Sequence, residues 1–158
     1  MATFYRLASA GPDWDECDLT GRAAKAVGGR WNDVGSPMVY AASSIALAVL
    51  ETVVHLGAEG MVFNRYLVAI DIPAELYRRR EVMKEPPEAW DSIPPSFKSK
   101  QFGSAWVHTK GRLLMDVPSV VVPHERNLLI NPLHADIARL KAINLGRFVY
   151  DPRLAHRG

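Results

Sequence analysis

Only one cysteine, Cys17, occurs in the chain, so no internal disulfide can staple it. A lone thiol fits a reducing compartment and a structural or surface role. Long apolar runs are missing as well. The longest, Ile45 to Leu50, is far short of the 18 or so residues a membrane helix needs, and no basic segment leading into an apolar stretch opens the chain. These two absences make a cytoplasmic location the expectation, with no membrane partner. Charge of one sign is scarce too: the net value is +2, and Arg78-Arg79-Arg80 is answered at once by Glu81. Direct nucleic-acid binding gains little support from that balance. The five histidines show no i, i+4 pair around a glutamate and no pairing with cysteine, so no metal site is expected. Strand and helix patterns do not alternate regularly, which argues against a doubly wound sheet, and no fixed-period repeat argues for a solenoid.

What is present is an ordinary globular composition, 48% hydrophobic and 23% charged over 158 residues, enough for one core and one domain spanning residues 1–158. Alternation predicts an edge strand over Thr3–Leu7, broken by Gly, Pro and Asp from Gly11 to Asp18. Gly28-Gly29 lets the backbone turn tightly into Arg30-Trp31-Asn32. A short strand is expected over Pro37–Ala42. Ser43 or Ser44 would then cap a helix from Ile45 to about Gly57, apolar nearly all round and so buried. Tyr66–Ile72 reads as a strand. Between Pro73 and Pro95 repeated prolines predict a long irregular region, a lid or a wrapping loop. A helix is expected over Lys98–Lys110, with strands at Pro118–Val122, Leu128–Ile130 and Phe148–Tyr150. The fold class read from this order is α+β, one domain around a twisted, mostly antiparallel sheet.

Five positions stand out for chemistry. Glu51 lies inside an aliphatic helix, where a carboxylate loses hydration at a cost of several kcal/mol unless it meets a partner. A surface pair with His55 one turn on and a functional carboxylate fit it equally. Arg30, after two glycines, has the setting to grip phosphate oxygens from a tight turn, or to stack on Trp31. Tyr40 offers either an aromatic platform for a planar base or a core ring. Ser119 has no Gly-x-Ser-x-Gly elbow, which disfavours a nucleophile and leaves a hydrogen-bonding role. Asn131, before Pro132, is placed to close a turn.

Taken in order, Gly29-Arg30-Trp31-Asn32, Gly35, Val39-Tyr40-Ala41, Ser43-Ser44, Leu47-Ala48, Leu50-Glu51 and His55 resemble the signature of the RES-domain family. A second block agrees: Val117-Pro118-Ser119-Val120-Val121-Val122-Pro123, then Glu125, Asn127-Leu128-Leu129-Ile130-Asn131-Pro132 and His134. The family is named for its arginine, glutamate and serine, which the resemblance maps to Arg30, Glu51 and Ser119. It implies a fold similar to ADP-ribosyltransferase toxins, with NAD+ as substrate and no bound cofactor. It also implies a toxin role beside an antitoxin carrying an Xre-type helix-turn-helix domain. On that reading Glu51 stabilises positive charge on the ribose and Arg30 grips the pyrophosphate. Tyr40 stacks on nicotinamide, Ser119 bonds substrate or braces Arg30, and Trp31 and Asn131 complete the substrate contacts. Capture of the ADP-ribosyl group by water, phosphate or a protein side chain stays open. Alternatives of another class are a ribonuclease-type toxin, which lacks a paired histidine constellation, and a non-catalytic binding module.

Overall fold

The computed structural model describes residues 1–55 and 64–155. Seven strands form one sheet in the order β4-β5-β6-β2-β1-β3-β7. They are β1 (Ala2–Ala8), β2 (Val39–Ala42), β3 (Arg65–Ile72), β4 (Glu81–Val82), β5 (Leu114–Pro118), β6 (Arg126–Ile130) and β7 (Lys141–Phe148). Every pairing is antiparallel except β4 with β5. Helices α1 (Arg22–Val27), α2 (Ile45–Val53), α3 (Ala74–Arg78), α4 (Phe97–Thr109) and α5 (Pro152–Ala155) intervene, with a 3-10 turn over Ala135–Arg139. The α+β, mostly antiparallel architecture is therefore the observed one.

Alternation along the strands divides the buried residues between two faces of the sheet. One face carries Phe4, Val39, Ile70, Leu128 and Ile130, packed with Leu76, Leu113 and Leu140. The other carries Met115, Val117 and Leu129 under Trp106 and Val107 of α4, and beside them Ala42 under Leu47 and Ala48 of α2. Ser44 starts α2, its Oγ accepting the Leu47 N–H at 3.1 Å, and Ser96 starts α4 by accepting the Ser99 N–H at 3.2 Å. Both caps satisfy donors that a helix start leaves without partners.

Four expectations need correction. The strand placed at Pro118–Val122 lies earlier, at Leu114–Pro118, and the chain turns after it. The last strand is not Phe148–Tyr150 but Lys141–Phe148, an exposed edge with too few apolar positions to betray itself. Helix α2 is not buried all round: Leu47 and Ala48 face the core, whereas Ile45, Leu50 and Val54 are exposed. Strand β1, expected at an edge, lies inside the sheet between β2 and β3. The Pro73–Pro95 region, irregular for most of its length as expected, also holds α3 and the two-residue β4. Gly57, expected to end α2, lies outside the described residues. No helix among the described residues is long and apolar enough to cross a membrane.

Candidate active site

The register of β5, β6 and β2 builds the floor of the site. Asn127 pairs with Ala42 on one side and Val117 on the other, while Tyr40 pairs with Leu129. Asn127 and Leu129 are two apart, so both stand on the face that α2 and α4 cover. Glu51 comes down from α2 onto this floor. Its Oε1 accepts the Ser119 hydroxyl at 2.6 Å and the Asn127 Nδ2 at 2.7 Å. Ser119 is fully buried, and its Oγ in turn accepts the Val122 N–H at 3.0 Å, which fixes the turn after β5. Both donors aim at one oxygen, so Glu51 Oε2 takes no hydrogen bond from the described residues. The surface ion pair of Glu51 with His55 is not formed.

Arg30 stands on a tight turn closed by a bridge between Gly29 and Asn32. The glycines serve distinct purposes. Gly28 takes a left-handed φ of 76°, and a Cβ on Gly29 would come within 2.7 Å of the Tyr40 hydroxyl. That hydroxyl donates to Asn32 Oδ1 at 2.6 Å and accepts the Trp31 N–H at 3.0 Å. Burial pushes Tyr40 well above the usual tyrosine range, against a smaller opposing pull from the Trp31 N–H and Arg30. The Asn32 amide, fully buried, donates to the Ala24, Asp33 and Ser36 carbonyls. Arg30 Nη1 donates to the carbonyls of Trp90 at 2.8 Å and Ser92 at 2.9 Å. Burial draws the Arg30 guanidinium below its ordinary value, opposed by the charges of Glu51 and Asp91 and by Tyr40. Arg30 and Glu51 form no ion pair, although the Glu51 charge reaches the guanidinium.

The structure thus brings Glu51 and Ser119 into contact and sets Arg30 and Tyr40 nearby. Ser119 holds Glu51 rather than bracing Arg30. Trp31 and Asn131 are structural in this geometry. Trp31 is 2% exposed, stacked on Trp90 with ring centroids 6.3 Å apart at 17° and edge-on to Phe102. Asn131 is fully buried, donating to the Val107 and Arg112 carbonyls and accepting the Leu133 N–H. Asn131 therefore retains no free donor for a ligand. Sequence reasoning gave Asn127 no role, although a polar residue sharing a strand face with Leu129 calls for a partner. Its Oδ1 is buried without a hydrogen bond, so the amide is committed to Glu51 through Nδ2 alone. Trp90 and Ser92 were missed because their part comes from backbone carbonyls, which residue type does not reveal.

The RES domain profile matches residues 3–151. A Sphingobium sp. (strain YBL2) protein named "Prs ADP-ribosylating toxin" is 46% identical over 157 residues, 98% of each chain. A Photorhabdus laumondii protein named "Toxin Res" is 34% identical over 146 residues, 90% of this chain and 92% of its own. Among solved structures, a chain of the M. tuberculosis MbcT-MbcA toxin-antitoxin complex superposes with a TM-score of 0.59 at 19% identity, covering 92% of this chain and 84% of that one, a likeness of fold. With the profile spanning nearly its whole length, the chain belongs to the RES-domain family.

Proposed function

We propose that this protein is the toxin of a toxin-antitoxin pair and that it breaks the bond between nicotinamide and ribose in NAD+. One observation carries the reading: a carboxylate clamped on one oxygen by Ser119 and Asn127, its other oxygen without a hydrogen bond among the described residues, near an arginine with which it forms no ion pair. The names of the relatives support the toxin role. In the reaction the electron pair of the C1′–N bond leaves with nicotinamide, which departs as a neutral ring. Positive charge then develops on the ribose, in an oxocarbenium-like transition state. A fixed anion near the ribose lowers that barrier, since a preorganised electrostatic contact is worth roughly 3 to 4 kcal/mol. Glu51 Oε2 is the anion, holding a ribose hydroxyl. Arg30 takes the pyrophosphate, and Tyr40, its hydroxyl spent on the Arg30 turn, offers only its ring face to nicotinamide.

The cation must be captured. Water yields ADP-ribose and a proton, and inorganic phosphate yields the 1-phosphate of ADP-ribose. A side chain of a protein yields an ADP-ribosylated target. This last outcome is a second reading, favoured by the name of the relative at 46% identity. Adenine-labelled NAD+ incubated with the pure protein, with and without phosphate or cell extract, separates the three by where the label ends. The incubation includes a chelator, because no metal dependence is expected. Intact NAD+ alongside shortened RNA would overturn the proposal in favour of a ribonuclease. A partner antitoxin with an Xre-type domain belongs to the same proposal, supported by the toxin-antitoxin assembly of the structural neighbour. Growth arrest with falling cellular NAD+ on expression alone, relieved by the partner, is the expected cellular result.

A further inference from the structure

The proline-rich segment between β4 and α4 lies outside both sequence blocks that carry the family resemblance, yet it touches the arginine at the centre of the site. Arg30 Nη1 has two hydrogens, and two carbonyls take them, Trp90 O and Ser92 O. Five N–H groups in a planar fork leave Nε–H and the two Nη2 hydrogens, which meet no acceptor among the described residues. Nε–H and one of the Nη2 hydrogens lie along one edge of the guanidinium, a pair of parallel donors that engages two phosphate oxygens at once. The loop thereby decides which edge of Arg30 is presented.

Hydrogen bonds within the loop hold its own shape. The Trp90 N–H donates to Pro87 O and the Ser92 N–H to Ala89 O, both at 3.1 Å, and Ser92 Oγ donates to Pro94 O at 2.9 Å. Ala89 sits at a left-handed φ of 60°, a conformation that persists where its surroundings impose it. Glu88 ties the loop to α4 through Lys98 at 2.6 Å. The Trp90 ring stacks on Trp31, the residue next to Arg30, so the loop packs directly against the Arg30 turn.

We propose that the β4–α4 loop is part of the substrate site and that Trp90 is a positioning residue for Arg30, holding its Nε/Nη2 edge toward the pyrophosphate. This rests on the NAD+ reading for its substrate but not for its geometry. A guanidinium already fixed loses little side-chain freedom on binding, which is worth about tenfold in affinity. Trp90→Ala should therefore raise KM for NAD+ and Kd for ADP-ribose about tenfold, with kcat within about threefold of wild type. Trp90→Phe, which keeps a stacking ring, should recover most of the loss. In an Arg30→Ala background Trp90→Ala should add less than about twofold, because the residue acts through Arg30.

Activity-free evidence comes from the nitrogen-15 signals of the Arg30 guanidinium, whose Nη1 hydrogens should exchange slowly in wild type and in Trp90→Phe but rapidly in Trp90→Ala. Equal, additive losses in both backgrounds, a fall in kcat with KM intact, or unchanged Arg30 signals in Trp90→Ala would each overturn the proposal. A wild type that neither releases nicotinamide nor binds ADP-ribose overturns the NAD+ reading instead, and the Arg30 signals still decide whether the loop holds the arginine.

Discussion

Replacing Glu51 by glutamine tests the charge apart from the shape. The amide oxygen can accept the same two hydrogen bonds that Ser119 and Asn127 now give to Oε1, at 2.6 and 2.7 Å, while an NH2 group takes the place of Oε2. Hydrogen bonds to charged groups are worth about 1.5 to 3 kcal/mol and neutral ones about 0.5 to 1.5, so the two together weaken by about 2 kcal/mol. Relief of the desolvation of a half-buried carboxylate offsets part of this. The melting temperature should therefore fall by no more than about 4 to 8 °C for a chain of this size. Catalysis should fall much further. If Oε2 stabilises the ribosyl cation, its loss costs about 3 to 4 kcal/mol of barrier, or roughly 10²- to 10³-fold in kcat with KM nearly unchanged. Nicotinamide release followed over a range of NAD+ concentrations, beside a thermal melt, gives both numbers. The same loss applies whichever nucleophile captures the cation, because all three outcomes share the bond-breaking step. Near-wild-type turnover in a folded Glu51→Gln protein would refute the reasoning.

Ser119→Ala removes the donor to Glu51 and strands the Val122 N–H, so kcat should drop about tenfold and stability by about 2 to 4 kcal/mol, read by the same assays. Tyr40→Phe leaves the Trp31 N–H and Asn32 Oδ1 without their shared partner, a cost of about 2 to 4 kcal/mol in a chemical denaturation curve. Because burial raises the Tyr40 hydroxyl above its unfolded value, the folded state keeps a proton that the unfolded chain sheds near pH 10. Wild-type stability should thus be full below about pH 10 and decline above it, and the Tyr40→Phe curve should lack that share of the decline. Equal slopes for both proteins would count against a buried, internally bonded Tyr40. In Gly103→Ala the new Cβ would lie 1.8 Å from the Trp31 carbonyl oxygen, a backbone atom that cannot swing aside, so α4 must shift off the Arg30 turn. Both the melting temperature and the affinity for ADP-ribose should fall, whereas a normal melt would contradict the close approach.

How far the sequence could be read depended on whether burial or connectivity set the outcome. Strands β1, β2 and β3 and helix α4 are buried on at least one side, and their alternation, caps and punctuation match their environment. Strand β7 is an edge, mostly exposed, and an edge imposes little pattern on its residues. Helix α2 shows the reverse failure: its hydropathy suits a buried helix, but only one side meets the sheet. At Pro118–Val122 β-branched composition promises a strand that lies earlier in the chain, at Leu114–Pro118. After Pro118 the chain turns because Ser119 Oγ binds the Val122 N–H and Glu51 together, a demand from a residue 68 positions away that no local window contains. Trp31 and Asn131, given substrate contacts by the resemblance, are both engaged inside the fold. The indole of Trp31 packs on Trp90, and Asn131 closes the turn that its place before Pro132 predicts.

The site itself follows from strand register more than from any motif. Glu51 Oε1 needs donors from Ser119 and Asn127, which reach it only because Asn127 pairs with Ala42 and Val117 and so faces α2. A slip of one residue in β6 would turn Asn127 to the opposite face and bring Leu128 beneath Glu51, leaving a carboxylate against an apolar side chain. The buried Leu128 and Ile130 on the other face make that slip costly, since both would lose their places in the larger core. The core therefore fixes the register, and the register delivers the clamp on Glu51. The two sequence blocks are joined in the same way. The glutamate of the first and the serine of the second meet only where β2 lies beside β6 in the sheet.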